Sequence, residues 1–158
     1  KTKNTVIKYN FSLNDGLRPY KAHNKRYFSP TFHITGPLEN TYIHNNIIIL
    51  PKKPLKEIEN TLIEFNDWGD AFPKNTVFKN NIVRNEEEAA ILIKKTKGFK
   101  NTENDITTDF NFNQKNPIEI LNQLQEQTNL KDNKEFKILY EFIKFRQVNS
   151  DPRYNTMK

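Results

Sequence analysis

Two groups of side chains in this sequence have types and spacings that could do chemistry. Between Leu17 and Phe28, the stretch LRPYKAHNKRYF sets Arg18, Lys21, Lys25 and Arg26 among Tyr20, Tyr27 and Phe28. Cations that neutralise phosphate oxygens, beside aromatic faces on which bases stack, are the ingredients of a single-strand or RNA-binding loop. The same residues also suit a solvated loop pinned to a sheet by its tyrosines, or a docking site for an acidic protein surface. No RNP, KH or helix-turn-helix pattern accompanies them, so residue types alone point to an anionic partner, with nucleic acid first among the classes.

The second group is His33 and His44. If GPLENT (residues 36 to 41) is a hairpin loop, pairing partners sum to 77, and Ile34 faces Ile43, Thr35 faces Tyr42 and His33 faces His44. Two imidazoles beside hydroxyls could carry acid–base work on a phosphodiester or hold a metal ion. Only His33-Ile34-Thr35 fits the His-x-Thr/Ser pattern of two-histidine phosphoesterases, and no histidine follows His44, so that family is not supported. A metal would need His23 or Glu39 as a third ligand. The plain alternative is two polar residues on an exposed strand face, and no metal site is assigned. Asp67 and Asp70 flank Trp68-Gly69 and read as a helix end. Glu135-Phe136-Lys137 has the Glu-x-Lys spacing of a metal-dependent nuclease, but on a predicted helix rather than a strand. Only four glycines occur, Gly16, Gly36, Gly69 and Gly98. A Gly-rich phosphate cradle is therefore absent, and no nucleotide cofactor is expected.

Charge supports the first group. Residues 1 to 35 hold Lys1, Lys3, Lys8, Arg18, Lys21, Lys25 and Arg26 against Asp15, which accounts for the formal net charge of +6 of the whole chain. Clustered like charges add their fields, whereas alternating ones cancel. Composition tempers this. Lys (20), Asn (23) and Ile (16) dominate while Arg supplies 5, a usage typical of A/T-rich codons that loads lysine onto any surface. Codon usage alone would spread those lysines evenly.

The elements that must position these residues read as α+β. Residues 5 to 13 alternate, with Ile7, Tyr9, Phe11 and Leu13 on one face, and end at Asn14-Asp15-Gly16. Further strands are predicted from Phe28 to Ile34 and from Thr41 to Leu50, with a short extended stretch near Thr76 to Val83. Helical spacing of Leu55, Ile58, Leu62 and Phe65 predicts a helix over residues 54 to 67. A second helix is predicted from Asn85 to Lys97, where an N-cap, first-turn acids, last-turn lysines and Gly98 match the helix dipole. Residues 101 to 116 read as a polar loop, followed by helices from Pro117 and from about Lys134 to Val148. No internal repeat is expected.

The expected fold is thus an N-terminal antiparallel sheet of three to five strands followed by about four helices, the last two a helical hairpin. A single domain is expected over residues 1 to 148, with a loose tail from 149 to 158. Zero cysteines exclude disulfides and thiol chemistry but do not identify a compartment, and the longest apolar run, Ile47 to Leu50, cannot cross a bilayer, so no membrane partner is expected; the location is left unassigned, with an intracellular one first. The leading functional expectation is a non-enzymatic binding module, or small subunit of an assembly, that contacts an anionic partner through residues 17 to 28. One alternative is a protein-interaction subunit, inhibitor or immunity-type protein using the aromatic helix Phe136 to Phe145. The other is a small phosphodiester-cleaving enzyme using His33 and His44.

Overall fold

A computed structural model describes residues 2–13, 15, 30–50, 52, 58, 61–88, 92–94, 98–111 and 117–150. They form two compact units, residues 1 to 111 and 112 to 158. The first is a stack of coils built from β1 (Thr2–Lys3), β2 (Val6–Lys8), β3 (Phe11–Leu13), β4 (Phe32–Thr35), β5 (Leu38–His44), β6 (Ile47–Leu50), β7 (Thr61–Asn66), β8 (Lys74–Lys79), β9 (Ile82–Asn85), β10 (Leu92–Lys94), β11 (Phe99–Thr102) and β12 (Asp105–Thr107). From β2 onward, strands adjacent in sequence fall in different sheets. Sheet A contains β1 and β2, then β5, β8 and β11; sheet B contains β3, β6, β9 and β12; sheet C contains β4, β7 and β10. All nine pairings among the described residues are parallel. The chain therefore winds A to B to C and returns one rung further along, which is a parallel β-solenoid.

The turn from sheet A to sheet B shows why this sequence winds so. Asn10, Asn46, Asn81 and Asn104 occupy equivalent places at that turn, and each is preceded by a left-handed residue: Tyr9 (φ 56), Asn45 (φ 56), Asn80 (φ 51) and Glu103 (φ 56). The backbone N–H and side-chain amide of Asn46 both donate to Asn81 Oδ1, at 3.1 and 2.8 Å. Asn10 makes the same two bonds to Asn46, and Asn81 to Asn104. Each amide nitrogen also donates to the carbonyl two residues back, and those of Asn46, Asn81 and Asn104 to one on the preceding coil, as Asn46 does with His44 and Ile7. The buried corner thereby satisfies its polar groups from one coil to the next.

A second asparagine ladder lies where sheet A begins. Asn40 donates to Asn4 at 3.1 Å and Asn75 to Asn40 at 3.1 Å, and all three are left-handed (φ 58, 58 and 55), a conformation asparagine tolerates better than most residues. Gly98 (φ 71) takes the fourth place. The two ladders expose a repeat: Asn4-Thr5-Val6-Ile7-Lys8-Tyr9-Asn10, Asn40-Thr41-Tyr42-Ile43-His44-Asn45-Asn46 and Asn75-Thr76-Val77-Phe78-Lys79-Asn80-Asn81. Ladder partners are separated by 36 and then 35 residues, and the last rung by 23. The expected lack of a repeat is corrected by this pattern.

The interior is a cluster of Ile34, Ile43, Ile48, Leu50, Leu62, Ile63, Phe65, Phe78 and Val83. Ile47 and Ile49, which alternate away from Ile48 and Leu50, are fully buried as well, so the outer face of sheet B is covered too. On that face Arg84, 1% exposed, pairs with Asp105 at 2.9 Å, donates to the Asp105 and Val83 carbonyls, and lies over the Phe110 ring.

The antiparallel sheet followed by four helices is overturned. β4 and β5 are not a hairpin: β4 pairs with β7, and β5 with β1, β2 and β8, so Ile34 lies beside Phe65 and Ile43 beside Ile7 and Phe78. Residues 61 to 66 are a strand where a helix is predicted, and 92 to 94 pair with β7 where the second helix is predicted. Five successive buried residues in β7 remove the period-2 signal, leaving Leu62 and Phe65 at a spacing that also suits a helix. Strands β11 and β12 run into the predicted loop 101 to 116.

Among its described residues the second unit holds two helices longer than one turn, α1 (Pro117–Gln125) and α3 (Lys134–Ser150), with a single turn, α2 (Thr128–Lys131), between them. Pro117 sits at the first helical position, where its missing N–H costs nothing. Asn133 Oδ1 accepts from the Phe136 N–H at 3.0 Å and caps α3. Tyr140 donates to Asn122 Oδ1 at 2.7 Å, fastening α3 to α1, and Ile120, Leu121, Leu124, Phe136 and Leu139 are buried.

Substitution separates interior rungs from the end. Asn46→Ala leaves several buried partners unpaired and lowers unfolding free energy by about 3 kcal/mol, whereas Asn10→Ala, at an exposed rung, costs about 1 kcal/mol. Denaturant unfolding followed by far-UV circular dichroism measures both, and equal losses would contradict the ladder. Asp105→Asn removes the carboxylate 2.9 Å from the buried Arg84 guanidinium and costs about 3 kcal/mol. Lys3→Ala, which breaks the exposed 3.4 Å pair with Glu39, costs less than about 1 kcal/mol in the same assay.

Candidate functional site

Parallel in-register coils place equivalent side chains in rows. In sheet A, Thr5, Thr41 and Thr76, with Ile7, Ile43 and Phe78, alternate toward the interior. The residues between them face outward. Val6, Tyr42 and Val77 form one outer row, continued by Lys100; Lys8, His44 and Lys79 form the next. Neighbouring rungs are about 4.8 Å apart, the spacing of paired strands. Tyr42, His44, Val77, Lys79 and Asn80 line a shallow cleft of about 310 Å³ on this face.

Local contacts hold these groups in place. The Lys8 ammonium lies 5.3 Å from the Tyr9 ring centroid, and Lys79 pairs with the exposed Glu103 at 3.2 Å. The His44 Nδ1 hydrogen-bonds with Asn45 Oδ1, which ties the ring to the corner residue. The face therefore offers two lysines and a histidine in line, beside a half-exposed tyrosine ring. Such a surface can hold an extended anion by charge and by contact with its flat or apolar parts.

His33 lies elsewhere. It projects from the outer face of sheet C, in register with Glu64, and its Nε2 accepts from the Asn66 amide at 3.0 Å, which also donates to Glu64 Oε1 at 3.2 Å. His44 is on sheet A, so the pair of facing imidazoles does not form. Parallel winding explains the separation, because consecutive strands leave one sheet for the next instead of turning back. Glu39 pairs with Lys3 at 3.4 Å, and His23 lies outside the described residues. Among the described residues no three His, Cys, Asp or Glu side chains converge.

Arg18, Tyr20, Lys21, Lys25, Arg26, Tyr27 and Phe28 lie outside the described residues. Asp67 and Asp70 are exposed in the turn between β7 and β8, with Trp68 74% exposed, and Glu135 and Lys137 sit on a helix. The row of Lys8, His44 and Lys79 is a feature the residue-by-residue reading missed. Its signal is present in the repeat, since all three occupy the fifth place of Asn-Thr-x-apolar-x-x-Asn.

No protein-family model matches the chain, and searches of curated proteins and of solved structures find no match either.

Because the histidines stand on different sheets, their substitutions act independently. The stability changes of His33→Ala and His44→Ala add in the double variant to within about 0.5 kcal/mol. A coupling well above that, in a double-mutant cycle read by thermal unfolding, would place them in one site.

Proposed function

We propose that this protein is a non-enzymatic binding module for an extended anionic partner, with nucleic acid the first class to test. The observation that carries the reading is the in-register row of Lys8, His44 and Lys79 with Tyr42 beside it. It is supported by the concentration of the chain's net charge in residues 1 to 35, which include Lys8 and the basic, aromatic segment 17 to 28. In this reading the lysines neutralise successive charges of the partner, Tyr42 and the aromatics of residues 17 to 28 supply stacking surface, and the solenoid fixes their spacing.

A second reading, a protein-interaction subunit, has its own observation. On α3, Ile138, Phe142 and Phe145 recur at spacings of four and three residues and are exposed, Phe145 to 66%. That stripe suits a partner's apolar surface, and its binding would be largely indifferent to salt.

Binding of labelled single-stranded DNA and RNA at several salt concentrations tests the first reading. Affinity should fall steeply with salt, and Lys8→Ala with Lys79→Ala should reduce the slope of log K against log salt by about two. An Arg18→Ala, Lys25→Ala, Arg26→Ala variant should reduce it further. No binding at low salt, or binding unchanged in both variants, would overturn the reading.

A further inference from the structure

The two ends of the solenoid are built differently. In the last coil, the Asn104 amide donates to Asn101 Oδ1 of its own coil at 2.6 Å, where the earlier rungs donate to the next asparagine, so the ladder ends on its own coil. Asn101 also takes the place held by Ile7, Ile43 and Phe78 in the other coils, a polar residue where the stack stops. This is how a terminal repeat closes a solenoid. The first coil has no such features. It carries the full repeat, with both ladder asparagines, Thr5 and Ile7.

The first coil is open in three respects. Asn10 is exposed where Asn46 and Asn81 are 1% exposed, and its Oδ1 lacks the two donors that each later rung receives from the coil before it. Asn4 accepts from Asn40 through Oδ1, which leaves its amide N–H groups free to donate to a further rung. Ile7 and Phe32, which alternate inward, are only partly buried, while Ile43, Ile63 and Phe78 below them are fully buried. The edge strands add unpaired backbone. The Tyr42 N–H donates to Thr5 O, so by alternation Val6 aims its N–H and C=O, and Lys8 its N–H, at the open side, while the Lys8 C=O accepts from the Asn10 amide at 3.1 Å. Val6 itself is 52% exposed.

We infer that this end of the solenoid receives a further parallel coil bearing the same Asn-Thr-x-apolar-x-x-Asn pattern. The incoming coil's second asparagine would donate its N–H and side-chain amide to Asn10 Oδ1, and its first asparagine would accept from Asn4. Its apolar residue would seat over Ile7. The inference continues the observed coil-to-coil interface by one rung and does not depend on the anion-binding reading. Open strand edges of this kind are templates for strand addition.

The probe is a labelled synthetic peptide of residues 73 to 88, the third coil's own repeat, titrated with the intact protein and read by fluorescence anisotropy. Saturable binding is expected, weakened about tenfold or more by Asn75→Ala and Asn81→Ala in the peptide, a loss of about 1.4 kcal/mol or more. Binding should also be lost in the Val6→Pro protein, because proline is tolerated where a strand N–H faces solvent but removes that donor from the edge. Asn10→Ala, which keeps the fold, serves as a second variant and should weaken binding similarly. Hydrogen exchange at Val6 and Lys8 should slow on binding. Absence of saturable binding, or equal binding of the alanine peptide, would overturn the inference. So would concentration-dependent self-association of the protein abolished by Val6→Pro, which would assign the edge to a second copy.

Discussion

The asparagine ladder at the A-to-B turn is the constraint on which the rest of this solenoid depends. A side chain there must accept two N–H groups from one coil while donating to backbone carbonyls of its own coil and its neighbour, all within one short planar amide. Aspartate lacks the donor, serine lacks the second function, and glutamine carries an extra methylene. The residue before it must also be left-handed, so each corner fixes two consecutive positions. Once the corner is fixed, strands on either side can only pair in parallel and in register, and every outward side chain joins a row.

Fixing one corner frees another. Two residues connect sheet A to sheet B in each of the four coils, but the chain from sheet B to sheet C runs from Leu13 to Phe32, from Leu50 to Thr61 and from Asn85 to Leu92. Length variation is greatest in that connection, with the returns from sheet C to sheet A varying less, and insertions there leave the ladder undisturbed while functional residues can accumulate on a rigid frame. The basic segment 17 to 28 lies within the longest of these connections. The row on sheet A is of the opposite kind, a site whose spacing is set by the strands themselves.

Much of the local structure was legible in the sequence and the topology was not. Val6 to Leu13 and Thr41 to Leu50 are extended, as their residues predict, yet each is broken by a corner, at Tyr9-Asn10 and at Asn45-Asn46. Reading Ile7, Tyr9, Phe11 and Leu13 as one face misses that Tyr9 is left-handed: beyond it, Ser12 is the buried member of β3, in register with Ile48 of the interior. Abundant asparagine looked like codon bias, which hid a repeat whose fixed positions are mostly asparagine. The helical signature at Asn85 to Lys97 is made of caps and dipole terms, each worth about 1 kcal/mol, and pairing of Leu92–Lys94 with β7 outweighs them there. Pro117 and Lys134 do open helices, the second capped by Asn133, because helices whose apolar residues recur at turn spacing need little from distant chain.

A chain free of cysteine allows the winding itself to be tested by cross-linking. Tyr42 and Val77 are register partners in neighbouring coils, whereas an antiparallel hairpin across residues 36 to 41 would set Tyr42 beside Thr35. The measurement is disulfide formation under mild oxidation in two double variants, Tyr42→Cys with Val77→Cys and Tyr42→Cys with Thr35→Cys, read by mass spectrometry after digestion. A parallel solenoid requires rapid intramolecular closure of the first pair and none of the second, since a disulfide needs Cα atoms within about 7 Å. Closure of the second pair in place of the first would contradict the coiled stack and every row of side chains built on it.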